Sequence, residues 1–289
     1  MDFLECELFF FLYFQALRFG GIQKGLINKK LTVDDVREID LDRKYELREN
    51  LFTNDAYLLK QYIRQNPDEL IPKDWEIVKG FTHFIKEDFY VVKYLKKHTI
   101  FLGKKYAFGV HALYKSFELT LGNQLPTPVS AVLLPFKGRI VYDGMLSYRN
   151  IYFGGSLKKH FLQEYNEAKA KYGIITSLPI KVEKEEFSDK DMLEIYMKSY
   201  SSIDVNWNKI KSILDKKEKG IIDYYNQLFG KLKAKDAKNK FKEINVKGYY
   251  FAIYKDTIIA SAKKRNDLES QLSAMLETKD LASIYIFKY

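Results

Sequence analysis

An α+β fold is the expectation for this chain, and three features of the sequence carry it. Residues 1 to 85 are helix-forming runs with capping residues, and residues 86 to 182 are short runs rich in Val, Ile, Tyr and Phe, divided by Lys/Gly and Pro/Gly/Asn punctuation. Residues 248 to 289 then pack two strand-like runs, a helical run and a closing strand-like run into one short module. The expected architecture is a helical N-terminal region, a central α+β domain with an antiparallel β-sheet, a helical lysine-rich connector over residues 183 to 247, and a C-terminal ββαβ module.

The opening MDFLECELFFFLYFQALRF has an apolar stretch of about a dozen residues, short of the roughly 20 that span a bilayer. Asp2, Glu5 and Glu7 stand where a secretory leader would carry cations, so a buried helix is expected. Thr32, three residues before Asp35, caps a second helical run through TVDDVREIDLDRKYELRENLF. Asn66-Pro67-Asp68-Glu69 reads as a further helix start, and Pro72 opens the helix of DWEIVKGFTHFI.

The runs FYVVKYL, HTIFL, YAFGVHALY, VSAVLLPF and RIVYDGML are strands, and their short connections imply an antiparallel meander whose longest loop is FELTLGNQLPTP. Lys137-Gly138 makes a tight turn between the last two. Alternation then places Ile140 and Tyr142 on one face and Val141 and Asp143 on the other. The run GSLKKHFLQEYNEAKAKYG is a helix with Leu157, Phe161, Tyr165 and Ala168 on one side and Gly173 at its end. Ser188 and Asp191 form a capping box ahead of Met192, Leu193, Tyr196 and Tyr200. At the C-terminus, GYYFAIY and TIIASA pair across Lys255-Asp256, Asn266 with Glu269 caps a helix that turns Leu268, Leu272, Met275 and Leu276 inward, and SIYIFKY closes as a strand.

Composition bounds the chemistry. At 289 residues and 46% hydrophobic, the chain can bury a real core. The single Cys6 excludes an internal disulfide framework and a cysteine zinc cluster, which points to the cytoplasm. His83, His98, His111 and His160 show no ligand-like spacing, so neither a metal nor a cofactor is expected. The formal charge is +10 with 40 Lys against 8 Arg, which suits diffuse attraction to phosphates better than base-edge readout. An AT-rich genome would inflate lysine in the same way, and both explanations stand. The segment 231 to 247, with seven Lys, is either a nucleic-acid patch or a solvated helix face.

One stretch breaks a local rule. Phe153-Gly154-Gly155-Ser156 leads into a helix whose first turn carries Lys158, Lys159 and His160, although cations at this end are unfavourable by about 0.3–1 kcal/mol each. An anion held by the amides of Gly154, Gly155 and Ser156 and by those side chains would resolve the conflict, with Arg139 and Arg149 flanking in sequence. The alternative is an ordinary Ser156 N-cap with its lysines in water. The stretch lacks the spacing of a phosphate loop, and no GxSxG, HExxH, CxxC or GxGxxG pattern occurs. Asp143, before Gly144, is either an Asx-turn residue or an acid for metal-dependent chemistry; Tyr148 and Tyr152 are candidates to stack on bases.

The runs DWEIVKGFTHFIKEDFYVVKYLKKHTIFL, LLPFKGRIVYDGML and FGGSLKKHFLQEYNEAKAKYGIITSLP together resemble a group of bacterial proteins without an assigned activity, over roughly residues 75 to 179. The resemblance implies a bacterial or mobile-element origin and supplies no catalytic residues. The expected function is a non-enzymatic binding or regulatory protein that engages an anionic partner, nucleic acid first. The alternatives are a protein-interaction component of a bacterial defence or toxin-related assembly, working through the C-terminal module, and a metal-dependent nuclease or phosphoryl-transfer enzyme.

Overall fold

Side chains that accept from the first free amides set half of the helix starts among the described residues, and apolar alternation sets the strands. The computed structural model describes residues 1–149, 151–181 and 187–289 and divides into two units, residues 1–183 and 184–289. The expected boundary at 182/183 lies outside the described residues.

Unit 1 opens with α1 (Phe3–Gln23), capped by Asp2, then α2 (Val33–Glu38), where Thr32 and Asp35 close a full capping box. The single helix expected beyond Thr32 is two, because Asp40 caps a new one, α3 (Leu41–Leu51). After α4 (Tyr57–Gln65), Asn66 is its left-handed C-cap and the start of no helix, a correction to the reading of Asn66-Pro67. Pro72 opens α5 (Pro72–Gly80) as expected.

The strands are β1 (Ile85–Tyr94), β2 (Thr99–Leu102), β3 (Ala107–His111), β4 (Thr127–Phe136), β5 (Arg139–Tyr142) and the two-residue β6 (Ser147–Tyr148). Between β3 and β4, where a loop was expected, Ser116 caps a short helix α6 (Phe117–Leu121). After β6 come α7 (Gly155–Tyr172) and β7 (Ile174–Ile175). The sheet is mixed, not the antiparallel meander the short connections implied: β3 runs parallel to both β5 and β7. β5 reaches β3 because β4 pairs back onto β1 and carries its hairpin partner with it.

That pairing closes the sheet. The first part of β1 pairs with β4 (Ile85↔Leu133 to Val91↔Thr127), and its last part pairs with β2 (Tyr90↔Leu102 to Tyr94↔Thr99), with a bulge between Val91 and Lys93. The strands therefore follow one another as β1-β2-β3-β5-β4 and back to β1. The interior is filled from every strand by Phe89, Val91, Phe101, Phe108, Val110, Val129, Ala131, Leu133 and Ile140, with Phe117 and Leu121 of α6.

Both outer faces are also covered, which explains why β2 and β3 read as unbroken apolar runs. Ile100, Leu102 and Ala107 lie under Phe161, Tyr165 and Ala168 of α7. Val132, Leu134, Phe136 and Val141 lie against the N-terminal helices, where Phe9 contacts the rings of Tyr13, Phe81 and Phe136. α1 is buried all round from Leu12 to Leu17, and before that on this side only, with Phe3, Leu4 and Phe11 exposed. Gly144 is required at the end of β5: its φ is +84°, and a Cβ there would stand 2.6 Å from the Phe10 ring. Gly144→Ala is expected to lower stability by about 1–3 kcal/mol in urea denaturation, and a change below about 0.5 kcal/mol would show that the turn relaxes.

Unit 2 begins with α8 (Asp189–Tyr196) on the Ser188/Asp191 capping box, followed by α9 (Tyr200–Leu214) and α10 (Lys219–Glu243). β8 (Tyr250–Tyr254), β9 (Thr257–Ala262), α11 (Arg265–Met275), the short α12 (Thr278–Leu281) and β10 (Ile284–Lys288) complete it. β8 is central, with β9 and β10 antiparallel on either side. Leu268 and Leu272 of α11 pack with Ala252, Ala262 and Ile284, while Ala234 of α10 packs with Phe251, Ile253 and Phe287. The expected cap on Asn266 is displaced, since the helix already starts at Arg265 with Lys264 in the N-cap position. Met275 stays exposed.

Candidate anion-binding surface

The end of the barrel sheet builds a groove. β6 adds to one edge of β4 through Val129↔Tyr148 and Ser130↔Ser147, across β4 from the stretch of β1 that holds Asp88 to Tyr90. The groove has a volume of about 320 Å³ and is lined by Tyr90, Pro128, Tyr148, Arg149 and Ile151, with Asp88 donated to by Ser130 Oγ. Tyr148 is 42% exposed and Tyr152 79% exposed, the latter accepting from Gln124 Nε2 at 2.8 Å.

Tyr90 joins this groove to the start of α7. Its ring lies 4.0 Å from that of Phe161 and 6.1 Å from that of Phe153, and the last two are 5.3 Å apart. Phe153 is thus clamped against β1, and Gly154-Gly155 follow in open space. The N-cap is Gly154, not Ser156 as the simpler reading had it; no side chain caps the helix, and no acid stands in its first turn. α1, α2, α3, α6, α8 and α9 begin on a side-chain cap, whereas α4, α5, α10, α11 and α12, like α7, do not. Lys158 and Lys159 are exposed and make no ion pair among the described residues.

The other predicted members separate. Arg149 lines the groove. His160 Nε2 turns along the helix to Glu164 Oε1 at 3.2 Å. Arg139, opposite Phe136 at the far end of β4, grips Glu5 of α1 through two hydrogen bonds of 2.8 and 3.2 Å, so it does not flank the α7 start. Sequence proximity misplaced it because Arg139 pairs with Phe136 at one end of β4, whereas β6 pairs with Val129 and Ser130 toward the other end of the same strand.

Asp143 is completely buried. Its Oδ1 accepts from Met145 N at 3.3 Å, the Asx turn that the Asp-Gly dipeptide suggested. Its Oδ2 lies 3.5 Å from Arg48 Nη1, and the Tyr13 hydroxyl faces the same carboxyl without hydrogen-bond geometry. Burial pushes the Asp143 carboxyl up to about 7, against the pull of Arg48. Burial also depresses Arg48, but Asp143 and Glu49 outweigh it and the guanidinium stays charged. Asp143 thus holds its proton more firmly than a free carboxyl even beside a charged guanidinium. Desolvation of Asp143 decides, because that carboxyl has no exposure at all whereas Arg48 also reaches the half-exposed Glu49 at 2.9 Å.

A second basic hollow, of about 330 Å³, opens at the β1–β2 turn and is lined by Lys96, Lys97, His98 and His111 among others. Burial and Lys97 lower the pKa of His98; burial and Arg139 lower that of His111. In unit 2 the lysine run sits on α10, where Lys231, Lys235, Lys240 and Lys242 are exposed while Ala234 and Phe241 face the sheet.

Among the described residues no group of three or more His, Cys, Asp or Glu side chains could hold a metal ion. No helix of the described residues is long and apolar enough to cross a membrane. No protein-family model, curated protein or solved structure matches the chain.

Proposed function

We propose that this is a non-enzymatic binding or regulatory protein whose first unit engages an anionic partner, nucleic acid in a single-stranded form. The observation that carries the proposal is a groove lined by Tyr90, exposed Tyr148 and Arg149, whose Tyr90 ring also packs on Phe153 and Phe161 at the uncapped, acid-free start of α7 that carries Lys158 and Lys159. Aromatic faces beside cations are what bind unpaired bases and their phosphates, whereas a duplex hides its bases from such rings. The barrel supports the reading, since its strand order and the helix between β3 and β4 match the OB-fold, whose recurrent ligands are oligonucleotides and oligosaccharides. Topology alone assigns no activity, and here α7 covers the strand 2–3 face that such barrels commonly use. The neighbouring groove stays open to a ligand.

The test is binding of an oligothymidylate of about 16 nucleotides, followed by fluorescence anisotropy between 50 and 200 mM salt. Affinity is expected to fall steeply with salt, and Lys158→Glu/Lys159→Glu to weaken it by about tenfold or more at the lower salt. Acids suit the start of a helix, so this variant will not owe its loss to unfolding. Affinity that is flat in salt, or equal in the variant, would overturn the proposal.

A further inference from the structure

α1 is apolar around its whole circumference, FLECELFFFLYFQALRFGGIQ, a pattern that belongs to a helix covered on every side. The fold covers the second half of the helix all round, with Leu12 to Leu17 consecutively buried, but its first half on one side only. Phe9, Leu12, Tyr13 and Leu17 are buried, whereas Phe3 is 68%, Leu4 79% and Phe11 50% exposed. Leu4, Leu8 and Phe11 follow the i, i+4, i+7 spacing of a single helical stripe. Beside that stripe, between α1 and α2, lies a hollow of about 330 Å³ with Leu8, Phe10, Phe11, Phe14 and Val33 in its walls, room for a large anchoring side chain.

The charge around this hollow is opposite to that of the chain. Glu7 and Arg37 also line it but satisfy each other through two hydrogen bonds of 3.0 Å, so they contribute no net charge. Asp34 lines it without a cationic partner among the described residues, and Glu38 stands one turn further along the exposed face of α2. In a protein of formal charge +10, this is an apolar strip with an acidic border.

We infer that the outer face of α1 and the hollow beside α2 form a docking groove for an amphipathic helix of a partner protein, apolar on one face and bordered by Lys or Arg. The apolar face covers Leu4, Leu8 and Phe11, one large side chain enters the hollow, and a basic residue reaches Asp34. A second copy of this chain fits poorly, because joining two α1 faces brings two acidic borders together. The groove is independent of the nucleic-acid surface.

The experiment titrates the full chain with a labelled amphipathic peptide of about 18 residues, leucine on one face and lysine on the other, against a control with glutamate in place of lysine. The lysine peptide is expected to bind saturably and at least about tenfold tighter than the control. Phe11→Glu and Asp34→Lys, both at exposed positions, should each weaken it by about tenfold with the thermal melt retained. No saturable binding, equal binding of both peptides, or indifference to Phe11→Glu overturns the inference. So does a protein that dimerises on its own and becomes monomeric in Phe11→Glu, which would make a second copy the occupant.

Discussion

Arg48→Met is expected to lower the unfolding free energy by about 3–5 kcal/mol at about pH 9, above the folded-state pKa of Asp143, because it leaves that carboxylate in the core with no cation beside it. Arg48 also spreads over the Tyr45 ring at 4.6 Å, a contact the thioether replaces only in part. Replacing both partners, Arg48→Met with Asp143→Leu, should recover most of the loss, since an apolar pair of similar volume needs no solvation. Urea denaturation of the two single variants and the double gives the coupling directly. A single-variant loss below about 1 kcal/mol would mean that the carboxyl is solvated after all. The pH dependence follows with a definite sign. Folding raises the Asp143 pKa from 3.8 to about 7, so the native state holds this proton more tightly than the unfolded chain does. The stabilisation from this group is fully present below about pH 4 and is lost as pH rises toward 7, on the order of 4 kcal/mol in all. Stability that rises over that window in the wild type but not in Asp143→Asn would reverse the assignment.

The sequence disclosed local structure well and closure poorly. Thr32, Ser188, Pro72 and Gly173 end or begin helices where their backbone preferences demand it, and the five main strands lie where β-branched and aromatic residues cluster. What was not legible depends on partners distant in the chain. The parallel contact of β3 with β5 follows from β4 folding back on β1, about 40 residues earlier, and no local pattern encodes it. The same holds for the site. Gly154 to Lys159 could be singled out because cations at a helix start violate a local rule, but the groove lined by Tyr90 and Arg149 exists only once β6 has joined β4. Arg139, equally conspicuous in sequence, went to Glu5. Asp143 shows the limit most clearly: Asp-Gly announces a turn, yet nothing near it in the chain announces Arg48.

Phe161→Ala is the variant in which fold and proposed function meet. Phe161 holds α7 on the barrel, packed against Tyr90 and Phe153 and over Ile100 and Leu102. Its removal should cost about 3 kcal/mol, the lower end for a buried phenylalanine, because 8% of it already reaches solvent and the first turn of α7 can settle into part of the space. Leu162, one residue on and 49% exposed, is the matched comparison; Leu162→Ala should change stability by no more than about 0.5 kcal/mol. Under conditions where both variants are folded, the oligonucleotide affinity discriminates the role of α7. If its uncapped N-terminus forms part of the surface, releasing Phe153 from Phe161 and Tyr90 misplaces those amides together with Lys158 and Lys159, and Phe161→Ala binds about tenfold more weakly while Leu162→Ala does not change. If Phe161→Ala loses stability and keeps its affinity, α7 serves only to cover the β1–β3 face, and the anion surface contracts to the Tyr148–Arg149 side of the groove.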